Sequence, residues 1–154
     1  MRAMMCKAWG SVTNLTLEDV APPVAGPGDV LIDVKAVGVN FADSLLVAGQ
    51  YQTKPDLPFA PGLEASGVVA AIGDGVENVK TGDRVMAMLA HGGYAEQVVT
   101  KADDVFAIPD GMSFDDAAAF PVAYISSDVA IRWQGRLAAG ETLLVLGAAG
   151  GVGL

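Results

Sequence analysis

The chain has 154 residues, of which 52% are hydrophobic and 18% are charged, a composition typical of one globular domain rather than of a disordered chain. Its formal net charge is −9, and it has no run of Lys or Arg, so neither nucleic acid nor an anionic membrane surface is an expected partner. A single cysteine, Cys6, and a single histidine, His91, exclude an intramolecular disulfide framework and an ordinary Cys/His metal site.

The first predicted elements are a loop, a strand and a short helix. The Pro- and Gly-rich segment 21–28 predicts a loop. Apolar and polar residues alternate over 30–40, which predicts a half-buried strand. A short helix is expected over 41–49, with Asp43 near its start, and the prolines and glycine of 51–62 predict a second loop.

Short strands separated by glycine turns follow. They are expected over 67–73, 84–89, 94–100 and 105–108. Strands of this length at this regular spacing are typical of a compact barrel, so the fold class predicted up to this point is mainly β.

The pattern changes after Pro109, where helices are expected. Ser113 is a candidate helix N-cap, with Asp116 three residues later, and a second helical run is predicted over 122–136. The next segment, 141–147, is apolar without alternation, which favours a strand buried on both faces of a parallel sheet.

A glycine-rich segment, AAGGVG at 148–153, comes directly after that predicted strand. If Ala148 takes the first position of a G-x-G-x-x-G motif, Gly150 and Gly153 take the second and third. Gly150 would then let the backbone approach a pyrophosphate, and Gly153 would let a helix pack closely on the strand. An ordinary glycine turn is the alternative interpretation of the same residues.

Four segments together resemble the medium-chain dehydrogenase/reductase superfamily, specifically its zinc-independent quinone oxidoreductase branch. They are VNFAD at 39–43, PFAPGLEASG at 58–67, GDRV at 82–85 with GGYAE at 92–96, and LGAAGGVG at 146–153. The resemblance covers most of residues 30–154. It implies a GroES-like barrel domain, residues 1–121, followed by a linking helix and the first strand and glycine turn of a Rossmann domain, residues 122–154.

The resemblance also bears on metal binding. Zinc-containing members of the superfamily carry Cys where Asn40 stands and His where Leu63 stands, and the four-cysteine loop of their structural zinc is missing from this sequence. Composition and resemblance therefore both predict that Asn40, Leu63 and Glu64 hold no metal.

By the same resemblance, three residues are candidate catalytic groups. Asn40 takes the position of an asparagine at the nicotinamide end of the cleft, and Asp43 shapes the same pocket. Tyr51 matches a common tyrosine at the cleft and is the candidate proton donor, although solvent would serve as well. Many relatives have a further tyrosine where this chain has Leu45, so a substrate contact of the kind that such a tyrosine makes is not expected in this chain.

The candidate cofactor-binding residues extend from Asn40 to two other segments. Ser126 or Ser127 stands where the family often has a threonine close to the cofactor. The glycine turn supplies the rest of the set: Ala148, Ala149, Gly150, Gly151, Val152 and Gly153.

Each of these assignments has a structural alternative. Asn40 would simply close the end of a strand, and Asp43 would cap the helix that follows. Glu64 is expected to brace the fold through buried hydrogen bonds rather than to do chemistry. Ser126 and Ser127 would bond back to carbonyl groups within their own helix.

The resemblance implies an NADPH-dependent oxidoreductase of the quinone reductase type. Such an enzyme passes a hydride to a quinone or to an α,β-unsaturated carbonyl or enoyl compound. NADH is left open, because the residues that discriminate the two cofactors are expected beyond Leu154. A homodimer is expected for the full-length protein. The alternative function is a non-enzymatic barrel module that binds a partner or an effector.

The chain is expected to be the N-terminal part of a longer protein and to be inactive alone. Its first ten residues lack the apolar core of a signal peptide, and no stretch has the length and apolarity of a membrane span. A cytoplasmic location is the resulting expectation.

Overall fold

Seven strands and several short helices are present in residues 1–153, the part of the chain that this computed structural model describes. The strands are β1 Arg2–Met5, β2 Thr16–Asp19, β3 Asp29–Val37, β4 Glu64–Ile72, β5 Arg84–Met88, β6 Gln97–Lys101 and β7 Val105–Ala107. The α-helices α1 and α2 span Phe41–Val47 and Phe114–Ala118, and 3-10 turns span Val12–Asn14 and Ala102–Asp104. Three consecutive helical segments, Pro121–Ile125, Ser126–Asp128 and Val129–Gln134, form what we call the 121–134 helix.

Five of the strands form one antiparallel sheet in the order β6-β3-β4-β5-β7. Strands β1 and β2 form a separate antiparallel pair, which an isolated bridge between Ala3 and Ala95 connects to the segment before β6. The predicted fold class, mainly β with some helices, is confirmed.

The alternation of residue types in the strands explains where the core lies. In β3, Val30 and Ile32 are completely buried, because successive side chains of a strand point to opposite faces. They pack with buried residues of the other strands, namely Ala65, Val69, Val85, Ala87, Val98 and Val105. A second buried cluster, which we call the α1 cluster, contains Cys6, Leu46, Val47, Phe59 and Leu63.

The central pair of strands, β3 and β4, requires a glycine at Gly67. A Cβ atom there would overlap the carbonyl oxygen of Asp33 and would lie 2.8 Å from Cγ2 of Ile32. Gly67 therefore lets the two backbones approach within the best-packed part of the sheet.

Most predicted elements are present with shifted ends. Strand β3 ends at Val37 rather than residue 40, and β6 begins at Gln97 rather than residue 94. The side chain of Ser113 accepts a hydrogen bond from the N–H of Asp116 at 3.0 Å, which confirms the predicted N-cap. The predicted helical run over 122–136 is also present, as the 121–134 helix. No element had been predicted for the residues of β1 and β2.

The predicted strand over 141–147 is wrong. This segment has no strand structure, and Leu144 and Leu146 are 80% and 85% exposed. An apolar run buried on both faces needs neighbouring strands and covering helices, and none of the residues 1–153 provides them for this segment. Two successive turns follow instead, with the N–H of Gly150 bonded to the carbonyl of Gly147 and that of Gly153 to the carbonyl of Gly150.

None of the helices in residues 1–153 is both long enough and apolar enough to cross a membrane.

Candidate active site

Asn40 lies between β3 and α1, where the extended backbone turns into a helix. Its side-chain nitrogen Nδ2 donates a hydrogen bond of 2.8 Å to Oε1 of Glu64, the first residue of β4. Glu64 is only 2% exposed, and Gly38 makes room for it, because a Cβ atom at Gly38 would overlap the Glu64 carboxylate. A glycine two residues before Asn40 is therefore part of the site.

The second oxygen of the Glu64 carboxylate reaches a different element. Oε2 accepts a hydrogen bond of 2.8 Å from the backbone N–H of Val122. Pro121 occupies the start of the helix and has no N–H, so Val122 supplies the first available donor of the 121–134 helix. Glu64 thus connects Asn40 to the helix that carries Ser126 and Ser127, as its predicted bracing role requires.

Asp43 lies beneath Asn40 and is 4% exposed. Its Oδ2 accepts hydrogen bonds from the N–H of Asn40 at 2.8 Å and from the hydroxyl of Tyr94 at 2.9 Å, and its Oδ1 accepts from the N–H of Gly62 at 3.1 Å. A buried carboxylate with these partners holds three segments of the chain together. The assignment of Asp43 as a catalytic group stays a prediction, and these contacts are those of a residue that shapes the pocket.

The side chain of Asn40 also takes part in the start of α1. Asn40 and Asp43 form a capping box there, in which the Asn40 side chain faces the N–H of Asp43 and the Asp43 carboxylate accepts from the N–H of Asn40. The N–H of Asp43 also donates to the backbone carbonyl of Asn40, at 3.0 Å. Asn40 is partly exposed, so its anchored amide remains accessible from outside.

Tyr94, in the GGYAE segment at 92–96, is a member of this network that the sequence did not predict. Burial, together with the negative charge of Asp43 and the hydrogen bond to it, raises the pKa of the Tyr94 phenol above its usual range. Tyr94 therefore remains a protonated donor to Asp43. The only signal in the sequence was its place inside that segment, since the partner lies 51 residues away.

Tyr51 is placed apart from the hydrogen-bond network. It packs, half-buried, against the α1 cluster. Within residues 1–153 none of the described hydrogen bonds involves its hydroxyl group. The structure therefore brings together Asn40, Asp43, Glu64 and Tyr94, and it does not connect Tyr51 to them.

Ser127 and the glycine turn are brought together. The hydroxyl oxygen of Ser127 lies 2.8 Å from the carbonyl oxygen of Ala123 and 3.2 Å from that of Val152, and its one proton bonds to one of them at a time. The first contact is the back-bonding alternative considered for this serine. Ser126 is exposed, and its hydroxyl makes no hydrogen bond in the part of the chain described.

An open groove of about 620 Å³ lies beside Tyr94, between the β1–β2 pair and β3. Its lining is mostly apolar and includes Leu17, Val37 and Val39, but neither Asn40 nor Glu64 contributes to it. The groove therefore adjoins the network without containing its polar groups, and we do not assign it as the site.

The side chains present suit one end of a nicotinamide cofactor. Asn40 is partly exposed, and its amide can both donate and accept hydrogen bonds, as the recognition of a carboxamide group requires. The segment 147–153 forms consecutive turns, so the strand, turn and helix that cradle a pyrophosphate are not formed in residues 1–153. Within the same residues, no group of three or more His, Cys, Asp or Glu side chains is placed to hold a metal ion.

Residues 26–110 match the family described as the alcohol dehydrogenase GroES-like domain. The chain belongs to this family. It is 46% identical over 140 residues to quinone oxidoreductase-like protein 2 of Rattus norvegicus, an alignment that covers 91% of this chain and 40% of that protein. The predicted resemblance to quinone oxidoreductases is confirmed.

Solved structures show the same relationship. The crystal structure of the human synaptic vesicle membrane protein VAT-1 homolog-like protein matches with a TM-score of 0.94 and 40% identity, over 99% of this chain and 50% of that one. The quinone oxidoreductase of Thermus thermophilus, solved also in complex with NADPH, matches with a TM-score of 0.85 and 37% identity, over 99% and 47%. The chain thus spans 40% of the rat relative and about half of each solved chain.

Proposed function

We propose that this chain is part of an NADPH-dependent oxidoreductase of the quinone reductase type that works without zinc. The observation that carries the proposal is the partly exposed Asn40 amide, anchored by the buried Glu64, in a GroES-like domain similar to a quinone oxidoreductase solved with NADPH. When bound, the reduced nicotinamide supplies the hydride, and the acceptor is a quinone or an α,β-unsaturated carbonyl or enoyl compound.

The residues of this chain have distinct parts in the proposal. Asn40 orients the nicotinamide end, and Asp43 with Tyr94 holds the backbone on which Asn40 sits. Ser126, exposed on the 121–134 helix, is free to bond to the cofactor. Solvent is the preferred proton donor and Tyr51 the alternative, since no residue of the hydrogen-bond network orients the hydroxyl group of Tyr51.

We propose that the enzyme holds no zinc because of the side chains that stand where zinc-containing relatives have their metal ligands. Leu63 is 6% exposed and belongs to the apolar α1 cluster, so it offers no ligand atom. Both oxygens of Glu64 are bonded to N–H groups of the protein.

We further propose a domain boundary near residue 121, a homodimer and a cytoplasmic location.

The test is made on the protein at its full natural length. Titration with NADPH is expected to change the fluorescence of the reduced nicotinamide, and the absorbance of NADPH is expected to fall when 1,4-benzoquinone is added. NADH serves as the comparison cofactor, and a weaker effect is expected from it. No binding at millimolar NADPH would reject the enzyme and favour a non-enzymatic module that binds a partner or an effector.

A further inference from the structure

Strand β4 directs two polar side chains toward one helical segment. Glu64 and Ser66 are two positions apart, so they point to the same face of the sheet, and they are 2% and 0% exposed. Ala65 and Val69 point to the opposite face, into the main buried cluster of the sheet. Both polar side chains bond to the backbone of residues 112–122, which we call the α2 segment. This face of β4 therefore holds the α2 segment in place.

The start of the α2 segment is held by two side chains. The hydroxyl of Ser66 donates a hydrogen bond of 2.6 Å to the carbonyl oxygen of Phe114, the first residue of α2. On the neighbouring strand β5, the guanidinium group of Arg84 lies 4.7 Å from the centre of the Phe114 ring. The same guanidinium group donates a hydrogen bond to the carbonyl oxygen of Met112. The α2 segment is therefore fixed to two strands at the point where α2 begins.

The end of the α2 segment is the base of the 121–134 helix. Helix α2 packs on the sheet through Ala117, which is completely buried. Further along, the N–H of Val122 donates a hydrogen bond of 2.8 Å to Oε2 of Glu64. The N–H of Ser126 bonds to the carbonyl of Val122, so Ser126 lies one turn along the helix from this contact. The placement of the α2 segment therefore decides where the helix carries Ser126.

We infer that Ser66 is a positioning residue, which holds the α2 segment so that the 121–134 helix keeps Ser126 in a fixed place relative to Asn40. A buried hydroxyl group costs free energy unless it is bonded, and an alanine at this position would avoid that cost. The hydroxyl of Ser66 bonds to the α2 segment and, within residues 1–153, to no other group. The inference rests on the proposed function for the cofactor that Ser126 and Asn40 meet.

The first measurement is backbone amide hydrogen exchange by NMR on the 154-residue chain, without cofactor. In Ser66→Ala, the amides of residues 122–126 are expected to exchange about fivefold faster than in the wild type, as for the loss of one hydrogen bond. The amides of β6, at the far edge of the sheet, should change less. Arg84→Met, which removes the second attachment of the α2 segment, is expected to act in the same direction and serves alone if Ser66→Ala does not fold. Ser11→Ala, whose hydroxyl bonds within its own turn, is the matched control.

The second measurement is a double-mutant cycle on the full-length protein. Ser66→Ala is expected to raise the KM for NADPH about fivefold with a smaller change in kcat. Ser126→Ala removes the hydroxyl through which Ser66 acts, so adding Ser66→Ala to it should raise the KM little further. A core residue without this role would give effects that multiply.

Two results would overturn the inference. One is exchange of residues 122–126 in Ser66→Ala at the rate of the wild type, and the other is multiplication of the two KM effects. A wild type that neither binds nor oxidises NADPH would instead overturn the proposed function. The exchange measurement would then still decide whether Ser66 holds the base of the 121–134 helix.

Discussion

At the scale of single residues, Asn40 is held in place by two buried carboxylates. Its N–H donates to Asp43 and its Nδ2 donates to Glu64. Asn40→Ala is expected to keep the first contact, lose the second and remove the amide group from the site. We predict a fall in kcat/KM with NADPH of about tenfold, as for the loss of one or two hydrogen bonds. Steady-state kinetics of the full-length protein measures it, with the exposed Asn14→Ala as control. Unchanged kinetics would mean that Asn40 only closes the strand end.

Tyr94 gives a pH-dependent prediction at the same scale. Tyr94→Phe removes one hydrogen bond to a carboxylate and is expected to lower the free energy of unfolding by about 2 kcal/mol near neutral pH. The pKa of Tyr94 is raised above its ordinary value of 10.0 in the folded chain, so above pH 10 the unfolded chain loses its proton first. The stability contributed by Tyr94 is therefore present below pH 10 and declines as the pH rises beyond it.

Urea unfolding of wild type and Tyr94→Phe over a pH series checks this sign. The difference between the two should be constant from neutral pH up to pH 10 and become smaller above it. Tyr124→Phe, which removes an exposed hydroxyl group, is the control. A difference that grows with pH would contradict the assignment of Tyr94 as a donor to Asp43.

At the scale of elements, the strands could be predicted because alternation and glycine turns are local signals. The same signals left the ends uncertain, since the last hydrogen bonds of a strand depend on its neighbour. The prediction for 141–147 was wrong because an apolar run specifies burial and not the partners that provide it.

For the site, the motifs placed Asn40 and Glu64, but their contact spans 24 residues and depends on how β4 pairs with β3. No pattern in the sequence indicates such a contact.

The pairing of β3 with β4 carries its own prediction. Gly67→Ala is expected to destabilise the chain by about 2–3 kcal/mol, because the new methyl group meets the backbone of Asp33, which cannot move without breaking the sheet. Chemical denaturation measures the loss. Gly151→Ala, where nothing lies within 4 Å of the added atom, should change stability little. Equal effects of the two substitutions would show that the close approach at Gly67 is not needed.

At the scale of the whole molecule, the described residues divide into a well-packed sheet and an exposed C-terminal segment. The two buried clusters lie in residues 6–105, whereas every residue from 132 to 152 is exposed. Several of these exposed side chains are large and apolar, including Trp133, Leu144 and Leu146. Such a surface is costly in water and favours association with further polypeptide.

The final prediction is that the 154-residue chain alone binds NADPH weakly and does not reduce quinones. The glycine segment forms turns without a paired strand before it, so within residues 1–153 no row of backbone amides faces a pyrophosphate. Isothermal titration with NADPH tests the prediction, with sedimentation to establish that the chain is monomeric and the full-length protein as the positive control. Micromolar binding, or quinone reduction by the monomeric chain, would show that the barrel and the 121–134 helix are sufficient for the cofactor.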